Sequence, residues 1–254
     1  MTFKHRQVAV VIPVYKSQMT PYEEISFDRC LEVLGGYPLI LMCPEGLDLT
    51  EYTRKAPRAQ VRGFDPANFK SVAAYSQLML RKSFYDRFRD YRYILIHQLD
   101  AFVFSDQLES WCARGFDYVG APWLDEPDME KLALETGRIR RTFPRWAKGL
   151  NTSVGNGGLS LRKVRTFRLW LAITGRRAHG WPYNEDAFWA FYAASFYPLF
   201  RVPRLELALK FSFELSPAKC FELNNRELPF GCHAWEKYDI DFWRPFFSKL
   251  KYSI

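Results

Sequence analysis

Four groups of residues in this sequence are of types that could carry out chemistry. Gln98 and Asp100 end a short apolar run, residues 155–158 read Gly-Asn-Gly-Gly, residues 184–186 read Asn-Glu-Asp, and His233 lies near the end of the chain. A carboxylate and an imidazole together can bind a divalent cation, and a second carboxylate can act as a general base. Glycines let backbone amides approach a ligand closely. These residues are therefore the candidates for a functional site.

Each candidate also has a simpler structural explanation. A single Asp after a strand often caps a turn, and neighbouring glycines often form a tight turn. Asn184 is a good helix N-cap, and Glu185 and Asp186 would each stabilise a first helical turn by roughly 0.3–1 kcal/mol through the helix dipole. A lone histidine near aromatic residues more often makes a structural hydrogen bond. For Asp186, the local sequence supports the helix-stabilising and the general-base interpretations equally.

The metal chemistry open to His233 depends on its partners. With Cys220 and Cys232 it could form a zinc site, but the spacing of these residues matches no standard zinc motif. With Asp100 it would form a mixed oxygen and nitrogen site, which suits Mn²⁺ or Mg²⁺. Residues 155–158 are not a P-loop, since no Gly-Lys-Ser/Thr follows them, and they do not match a dinucleotide-binding fingerprint.

Strand and helix patterns alternate around these residues and predict an α/β fold. Apolar runs at residues 8–12, 39–42 and 93–96 predict buried strands. Residues 20–23, Thr-Pro-Tyr-Glu, combine a capping box with Pro at the first helical position, which predicts a helix between the first two strands. This order is typical of a parallel sheet with right-handed crossovers. Ligands bind at the carboxyl ends of such strands, where Asp100 is expected.

The remaining elements have shorter patterns. Helices are expected at residues 71–88, 107–114, 163–174 and 185–195, a strand and turn at residues 118–123, and a short strand at residues 159–161. Residues 46–68 are interpreted as a loop or a weak edge element. Residues 124–148 have mixed charge and weak periodicity, and they are interpreted as an insertion or mobile loop beside the site.

Composition limits the classes of protein to which this chain could belong. A net charge of +8 suits an anionic ligand, a nucleic acid or an anionic membrane, but the basic residues are dispersed apart from residues 138–145. No nucleic-acid-binding motif accompanies them, so no nucleic-acid partner is expected. Five cysteines without paired spacing indicate reduced thiols, and the first residues show no signal-peptide core. A cytoplasmic location is therefore expected.

As a set, the candidate motifs resemble those of GT-A-type glycosyltransferases. Gln98-Leu-Asp100, residues 155–158, residues 184–186 and His233 follow the order of that group's DxD motif, glycine-rich loop, xED motif and C-terminal histidine. The segments IHQLDAFVF, DYVGAPW, VGNGGLSLR, NEDAFW and PFGCHAW resemble a glycosyltransferase-like family of microbial proteins still more closely. The resemblance extends over nearly the whole chain.

The resemblance implies a single GT-A-like, Rossmann-like domain over residues 1–254, with a mostly parallel central sheet flanked by helices. Its nucleotide-binding half would cover about residues 1–123, and its acceptor and catalytic half about residues 124–254. No internal repeat or linker divides the chain. The length is that of one large domain or two small ones.

The resemblance also implies roles for individual residues. Asp100 and His233 would bind Mn²⁺ or Mg²⁺, which bridges the diphosphate of a nucleotide-sugar donor. Asp186 would be the general base that deprotonates a hydroxyl acceptor, which implies inversion at the anomeric carbon. In a retaining enzyme the same residue would only orient the acceptor. Tyr15 would stack on a uracil-like base, so a UDP-sugar is the favoured donor.

Further donor contacts are expected from Gln98, Gly157, Gly158 and Glu185. Gln98 stands where the DxD pattern has its first Asp. Because an amide cannot supply that negative charge, weaker metal binding and an altered nucleotide contact are expected.

The predicted function is therefore transfer of a sugar to a glycan or lipid-linked acceptor in glycan or polysaccharide biosynthesis. Two alternatives are a non-catalytic nucleotide-sugar-binding module and a basic nucleic-acid-binding protein, but neither requires the ordered set of motifs. Residues 138–145 and 242–251 both mix cations with large aromatic side chains. This mixture suits a lipid headgroup region and predicts weak docking on an anionic membrane. A solvated basic loop and a tail packed on the core are the equally supported alternative.

Overall fold

This computed structural model describes residues 7–124 and 154–254 of the protein. Within these residues the chain forms nine strands, arranged in one central sheet and one small sheet. The strands are β1 (Val8–Pro13), β2 (Leu39–Pro44), β3 (Gln60–Phe64), β4 (Tyr93–His97), β5 (Phe102–Val103), β6 (Tyr118–Val119), β7 (Leu159–Lys163), β8 (Ser212–Phe213) and β9 (Gly231–Cys232).

The central sheet has the strand order β3-β2-β1-β4-β7-β6, and the small sheet has the order β5-β9-β8. Strands β3, β2, β1 and β4 are parallel, whereas β7 is antiparallel to both β4 and β6. The prediction of an α/β fold with a mostly parallel central sheet is confirmed. Because β1 and β4 are adjacent and parallel, their carboxyl ends meet at one edge of the sheet.

The helices cover the two faces of the central sheet and the small sheet. They are α1 (Pro21–Leu34), α2 (Thr50–Lys55), α3 (Val72–Met79), α4 (Lys82–Asp86), α5 (Leu108–Ala113), α6 (Val164–His179), α7 (Glu185–Ala187), α8 (Leu205–Phe211), α9 (Pro217–Leu223) and α10 (Ile240–Lys249). None of the described helices is both long and apolar enough to cross a membrane.

Helix α1 forms as its sequence predicts. The side chain of Thr20 accepts a hydrogen bond from the backbone N–H of Glu23, and the carboxylate of Glu23 accepts one from the backbone N–H of Thr20. This capping box satisfies two of the N–H groups that a helix start leaves unpaired. Phe27, Cys30 and Leu34 lie on the buried face of the helix. The helix therefore follows from its cap and its apolar spacing.

Two predicted helices take different forms in the structure. The helix expected at residues 71–88 is divided into α3 and α4, because Arg81 has an extended backbone (φ −98°, ψ 131°). The division lets Leu78 and Met79 of α3 and Phe84 of α4 all reach the same apolar cluster. The helix expected at residues 185–195 begins as α7 and continues as a π-helical turn and a 3₁₀ turn. Residues 46–68 contain α2 and the edge strand β3.

Alternate side chains of the central strands pack on opposite faces of the sheet. Val11 and Ile94 belong to one apolar cluster, and Val10 and Leu95 belong to the other. A third cluster surrounds the small sheet and contains Trp243 of α10. Covering both faces is the usual arrangement for parallel strands.

Residues 138–145 and 242–251 were predicted to dock on a membrane. Residues 138–145 lie outside the described residues. In residues 242–251, the side chains of Trp243 and Phe247 of α10 are fully buried, so these two aromatic rings pack in the core and are not available to a membrane. All five cysteines are buried and none forms a disulfide, in agreement with the expectation of reduced thiols.

Candidate active site

A cleft with a volume of about 400 Å³ opens where β1 and β4 end. Tyr15 follows β1, and the segment from Gln98 to Asp100 follows β4, so two of the predicted groups face the same space. Helix α3 forms another wall. The remaining lining comes from Pro13, Glu23, Phe69, Ser71, Val72, Tyr75 and Glu236. The cleft therefore lies at the carboxyl ends of parallel strands, where ligands of such sheets bind.

The cleft is rich in carboxylates. Glu23, Asp100 and Glu236 line it, and Lys16 forms an ion pair of 2.7 Å with Glu23. Burial and the charges of Asp100 and Glu23 raise the pKa of Glu236. A diphosphate would be repelled by this set of charges. A cation between these carboxylates and an anionic ligand would weaken that repulsion.

Residues far apart in the sequence meet around the imidazole of His233. Its Nε2 lies 3.1 Å from the Oδ1 atom of Asp100 and 3.1 Å from the Oε1 atom of Gln98. Its Nδ1 lies 3.0 Å from the Oε1 atom of Glu214. The structure thus brings together Gln98, Asp100 and His233, as the sequence predicts, and adds Glu214.

The charges in this group stabilise one another. Burial opposes protonation of His233, but Asp100 and Glu214 outweigh it and raise the pKa of the imidazole to about 10. Burial also disfavours ionisation of Asp100, yet the neighbouring imidazolium holds the pKa of this carboxyl below its usual value. The free protein therefore has a protonated imidazole bound to an ionised carboxylate.

The atoms around Nε2 of His233 are of types that can bind a divalent cation. Ligands that share an edge of an octahedron with bonds of about 2.1 Å are separated by roughly 3 Å, which is close to the spacing observed here. A metal-binding histidine commonly donates its other ring N–H to a carboxylate, and Glu214 is that carboxylate. A cation would replace the proton on Nε2. Metal binding is therefore expected to strengthen as the pH rises.

The protein ligands of such a cation would include an amide. Within the described residues, no cluster of three His, Cys, Asp or Glu side chains could hold a metal ion. Asp100 and His233 would therefore need the oxygen of Gln98 as the third ligand. The same observation means that Cys220, Cys232 and His233 do not form a zinc cluster.

The glycine-rich loop is shaped by its contact with His233. A Cβ atom on Gly158 would lie 1.9 Å from Nε2 of His233, so only glycine lets the imidazole take this position. The backbone N–H of Gly158 donates to the side chain of Asn156, and its carbonyl accepts from the backbone N–H of Gln98. The loop is thereby held against the end of β4. Gly157 is likewise in close contact with Glu185.

We expect Gly158→Ala to disturb this position of His233. The added methyl group overlaps the ring, and overpacking of this kind costs about 1–3 kcal/mol. The variant should melt at a lower temperature and respond less to a nucleotide added with Mn²⁺. Gly175→Ala is the matched control, because a Cβ at Gly175 of α6 meets no atom within 4 Å. Equal responses in the two variants would show that the ring does not depend on Gly158.

Glu185 faces inward, to Arg162 of β7. The carboxylate of Glu185 and the guanidinium of Arg162 form a buried ion pair of 2.7 Å. Arg162 also donates to Tyr85, Ser160 and the carbonyl of Gly157. The pair thus joins β7, the glycine-rich loop and the start of α7. Whether Glu185 also contacts a donor, as the resemblance implies, remains a prediction.

Asp186 is half-buried beside this ion pair. Its Oδ1 atom accepts a hydrogen bond of 2.7 Å from the backbone N–H of Ala187, and Asn184 makes no side-chain capping bond. The pKa of Asp186 is raised to about 8. Burial is the largest cause, and the negative charges of Glu185 and Glu214 raise this pKa further. A carboxylate with a pKa near neutrality can accept a proton.

Sequence reasoning did not identify Glu214, Glu236 and Arg162 as parts of the site. Glu214 follows β8, Glu236 follows His233 in a turn, and Arg162 lies within a strand. Glu214 and Glu236 lie outside the quoted motifs, and Arg162 only ends the segment VGNGGLSLR, where it was given no role. A charged residue in a buried strand, such as Arg162, was the one available signal, because such a residue requires a buried partner.

Comparisons with known proteins agree with this architecture. A family model described as "Protein of unknown function (DUF5672)" matches residues 58–233. None of the curated proteins matches the sequence.

Several solved structures are similar in fold. The galactosyltransferase LgtC, solved with donor and acceptor sugar analogs, superposes with a TM-score of 0.59 at 11% identity over 95% of this chain and 94% of LgtC. Mouse xyloside xylosyltransferase 1 gives 0.53 at 10% identity over 89% of this chain and 97% of its own. The bifunctional glycosyltransferase WbbM gives 0.53 at 15% identity over 92% of this chain, which spans only 46% of WbbM. The predicted GT-A-type fold is confirmed.

Proposed function

We propose that this chain, which belongs to the DUF5672 family of proteins of unknown function, is a glycosyltransferase that moves a sugar from a nucleotide donor to a hydroxyl acceptor. The observation that carries the proposal is the convergence of Gln98, Asp100 and His233 at the cleft of a GT-A-type fold. The names of the structural neighbours agree with this reaction class.

The donor would bind with its diphosphate toward Asp100 and His233. Mn²⁺ or Mg²⁺ held by Asp100, His233 and the Gln98 oxygen would supply Lewis acidity to the departing diphosphate. The carboxylates of Glu23 and Glu236, which also line the cleft, make this need for a cation stronger. Glu214 would keep the imidazole oriented.

The base of the nucleotide would lie at the mouth of the cleft. Tyr15 is 58% exposed there, so its ring would be accessible for stacking on a base. Phe69 and Val72 supply further apolar surface. A UDP-sugar is the donor that this arrangement favours, with Gly157 and Gly158 on the side of the sugar.

Asp186 would act as general base toward the acceptor hydroxyl, which gives inversion at the anomeric carbon. Its raised pKa supports this role, because a carboxylate that holds its proton tightly also accepts one readily. The acceptor would be a glycan or a lipid-linked glycan in polysaccharide biosynthesis. Five unpaired cysteines support a cytoplasmic setting for the reaction.

The test is the melting temperature with UDP and Mn²⁺. A ligand at a hundred times its dissociation constant stabilises a protein by roughly 2.7 kcal/mol, a shift of several degrees for a domain of this size. We expect this shift in the wild type, its loss with a chelator, and the loss of most of it in Asp100→Asn.

The matched control is Asp90→Asn, because Asp90 is exposed and precedes β4 at its opposite end. This variant should retain the full shift. A shift of equal size in Asp100→Asn and the wild type would refute the metal assignment. A shift without any transfer or hydrolysis of a nucleotide sugar would favour a binding module.

A further inference from the structure

We propose that one outer surface of the protein docks on an anionic lipid membrane. We call it the docking face, and it consists of Arg165, Leu169, Ile173 and Arg176 of α6 with Tyr197 and Leu199 of the loop that follows the 3₁₀ turn. It contains no residue of the candidate active site. The proposal therefore stands separately from the proposed transferase reaction.

The docking face exposes large apolar side chains. Ile173 and Leu199 are each 74% exposed, Leu169 is 58% exposed, and Tyr197 is 41% exposed. Single apolar side chains on a surface are common, but a continuous group of them marks an interaction site. The question is therefore whether these four residues are neighbours.

The α6 residues of the docking face lie on one side of the helix. At about 100° per residue, Arg165, Leu169, Ile173 and Arg176 fall within an arc of roughly 80°. The opposite side, with Phe167 and Leu171, is buried in the core.

The loop of the docking face lies beside the same helix. The ring of Trp170 in α6 is 5.0 Å from that of Phe196 and 5.6 Å from that of Phe200. These two residues immediately flank the segment that carries Tyr197 and Leu199. The segment that carries Tyr197 and Leu199 therefore lies beside α6.

The charge of α6 selects an anionic partner. The helix contains four arginines and no Asp or Glu. Arg168 is paired with Asp86 of α4, whereas Arg165 and Arg176 are exposed at the two ends of the apolar stripe. Aliphatic side chains between arginines match an interface in which lipid tails lie just below anionic headgroups. A nucleic acid would provide the charge but no apolar layer for Leu169 and Ile173.

The end of α6 that carries Arg176 is followed by a segment that contacts a wall of the cleft. Helix α6 runs back along the sheet and ends at His179, and Asp186 follows seven residues later. Close to this end, the carbonyl of Trp181 accepts a hydrogen bond from Gln77 of α3, the helix that walls the cleft. For the proposed transferase, docking in this way would bring the cleft close to a lipid-linked acceptor, but the docking proposal does not depend on that reaction.

The test is co-sedimentation of the full chain with vesicles of equal parts phosphatidylcholine and phosphatidylglycerol. We expect binding that weakens at high salt and is weak on phosphatidylcholine alone. The double variants Leu169→Ser/Ile173→Ser and Arg165→Gln/Arg176→Gln should each lower the apparent affinity for the mixed vesicles about tenfold or more. These side chains are exposed, so both variants should fold, and the melting-temperature shift with UDP and Mn²⁺ should be unchanged.

The matched controls are Leu223→Ser and Arg226→Gln. Both side chains are exposed near the end of α9, outside the docking face. They should leave vesicle binding unchanged. The proposal fails if the wild type does not bind the mixed vesicles, if it binds neutral vesicles equally well, or if the docking-face variants bind like the controls. It also fails if the wild type binds an oligonucleotide more tightly than the mixed vesicles and the arginine variant loses that binding.

Discussion

Asp186→Asn is expected to lower kcat of the proposed transferase by roughly a hundredfold to ten-thousandfold, the usual contribution of a general base. The amide can retain the hydrogen bond that Oδ1 of Asp186 accepts from the N–H of Ala187. The surrounding structure is therefore preserved, and donor binding should survive. The measurement is sugar transfer or donor hydrolysis at saturating nucleotide sugar, compared with the melting-temperature shift on donor binding.

The pH dependence gives a second readout for Asp186. The base must be ionised, and burial with the nearby Glu185 raises the pKa of Asp186 to about 8. The activity of the wild type should therefore rise with pH through about 8. The residual activity of Asp186→Asn should lack this rise.

Stability should change in the opposite direction. A folded-state pKa above the ordinary value of 3.8 means that protonation of Asp186 stabilises the fold. This contribution is fully present below pH 3.8 and is lost as the pH rises through about 8. Asp186→Asn cannot ionise, so it should be more stable than the wild type at alkaline pH. A folded Asp186→Asn protein with full activity would show that Asp186 only stabilises the first turn of α7.

Glu185→Ala is expected to destabilise the protein by about 3–5 kcal/mol, because it leaves a buried guanidinium without its counter-charge. Arg162 has a fully buried side chain and lies 2.7 Å from Glu185. For a chain of this length, the loss corresponds to a fall in melting temperature on the order of 10 °C. Thermal unfolding followed by circular dichroism measures it.

Two further variants distinguish the buried pair of Arg162 and Glu185 from an exposed ion pair. Lys82→Ala removes a pair with Asp86 in which both side chains are partly exposed, and it should cost about 0–1 kcal/mol. Replacing both Arg162 and Glu185 by apolar residues should restore part of the stability lost by Glu185→Ala, since no buried charge is left unpaired. If Glu185→Ala melts like Lys82→Ala, the buried pair does not organise the site.

The sequence by itself determined the regular elements that have local causes. The capping box at Thr20 and the spacing of Phe27 and Leu34 define α1, and the apolar runs define β1, β2 and β4. Interactions between neighbours in sequence dominate these elements, so their patterns are visible without the fold. The location of Asp100 at the end of β4 follows from the same run.

The order of the candidate motifs also identified residues that share a site. Gln98, Asp100 and His233 were predicted to share a site, and in the structure the Oε1 atom of Gln98 and the Oδ1 atom of Asp100 each lie 3.1 Å from Nε2 of His233. Their roles toward a metal and a donor remain predictions.

Only the tertiary structure decided which groups complete the site. The carboxylate of Glu214 contacts His233, Arg162 binds Glu185, and Gly158 is close to the imidazole because these segments pack against each other. Such partners are separated by many residues, and the burial that fixes their charges is a property of the packed core. The same reason explains why the predicted helix is divided at Arg81 and why Trp243 is buried. A local pattern shows which side chains are apolar, but the packing of distant elements decides which surface these side chains face.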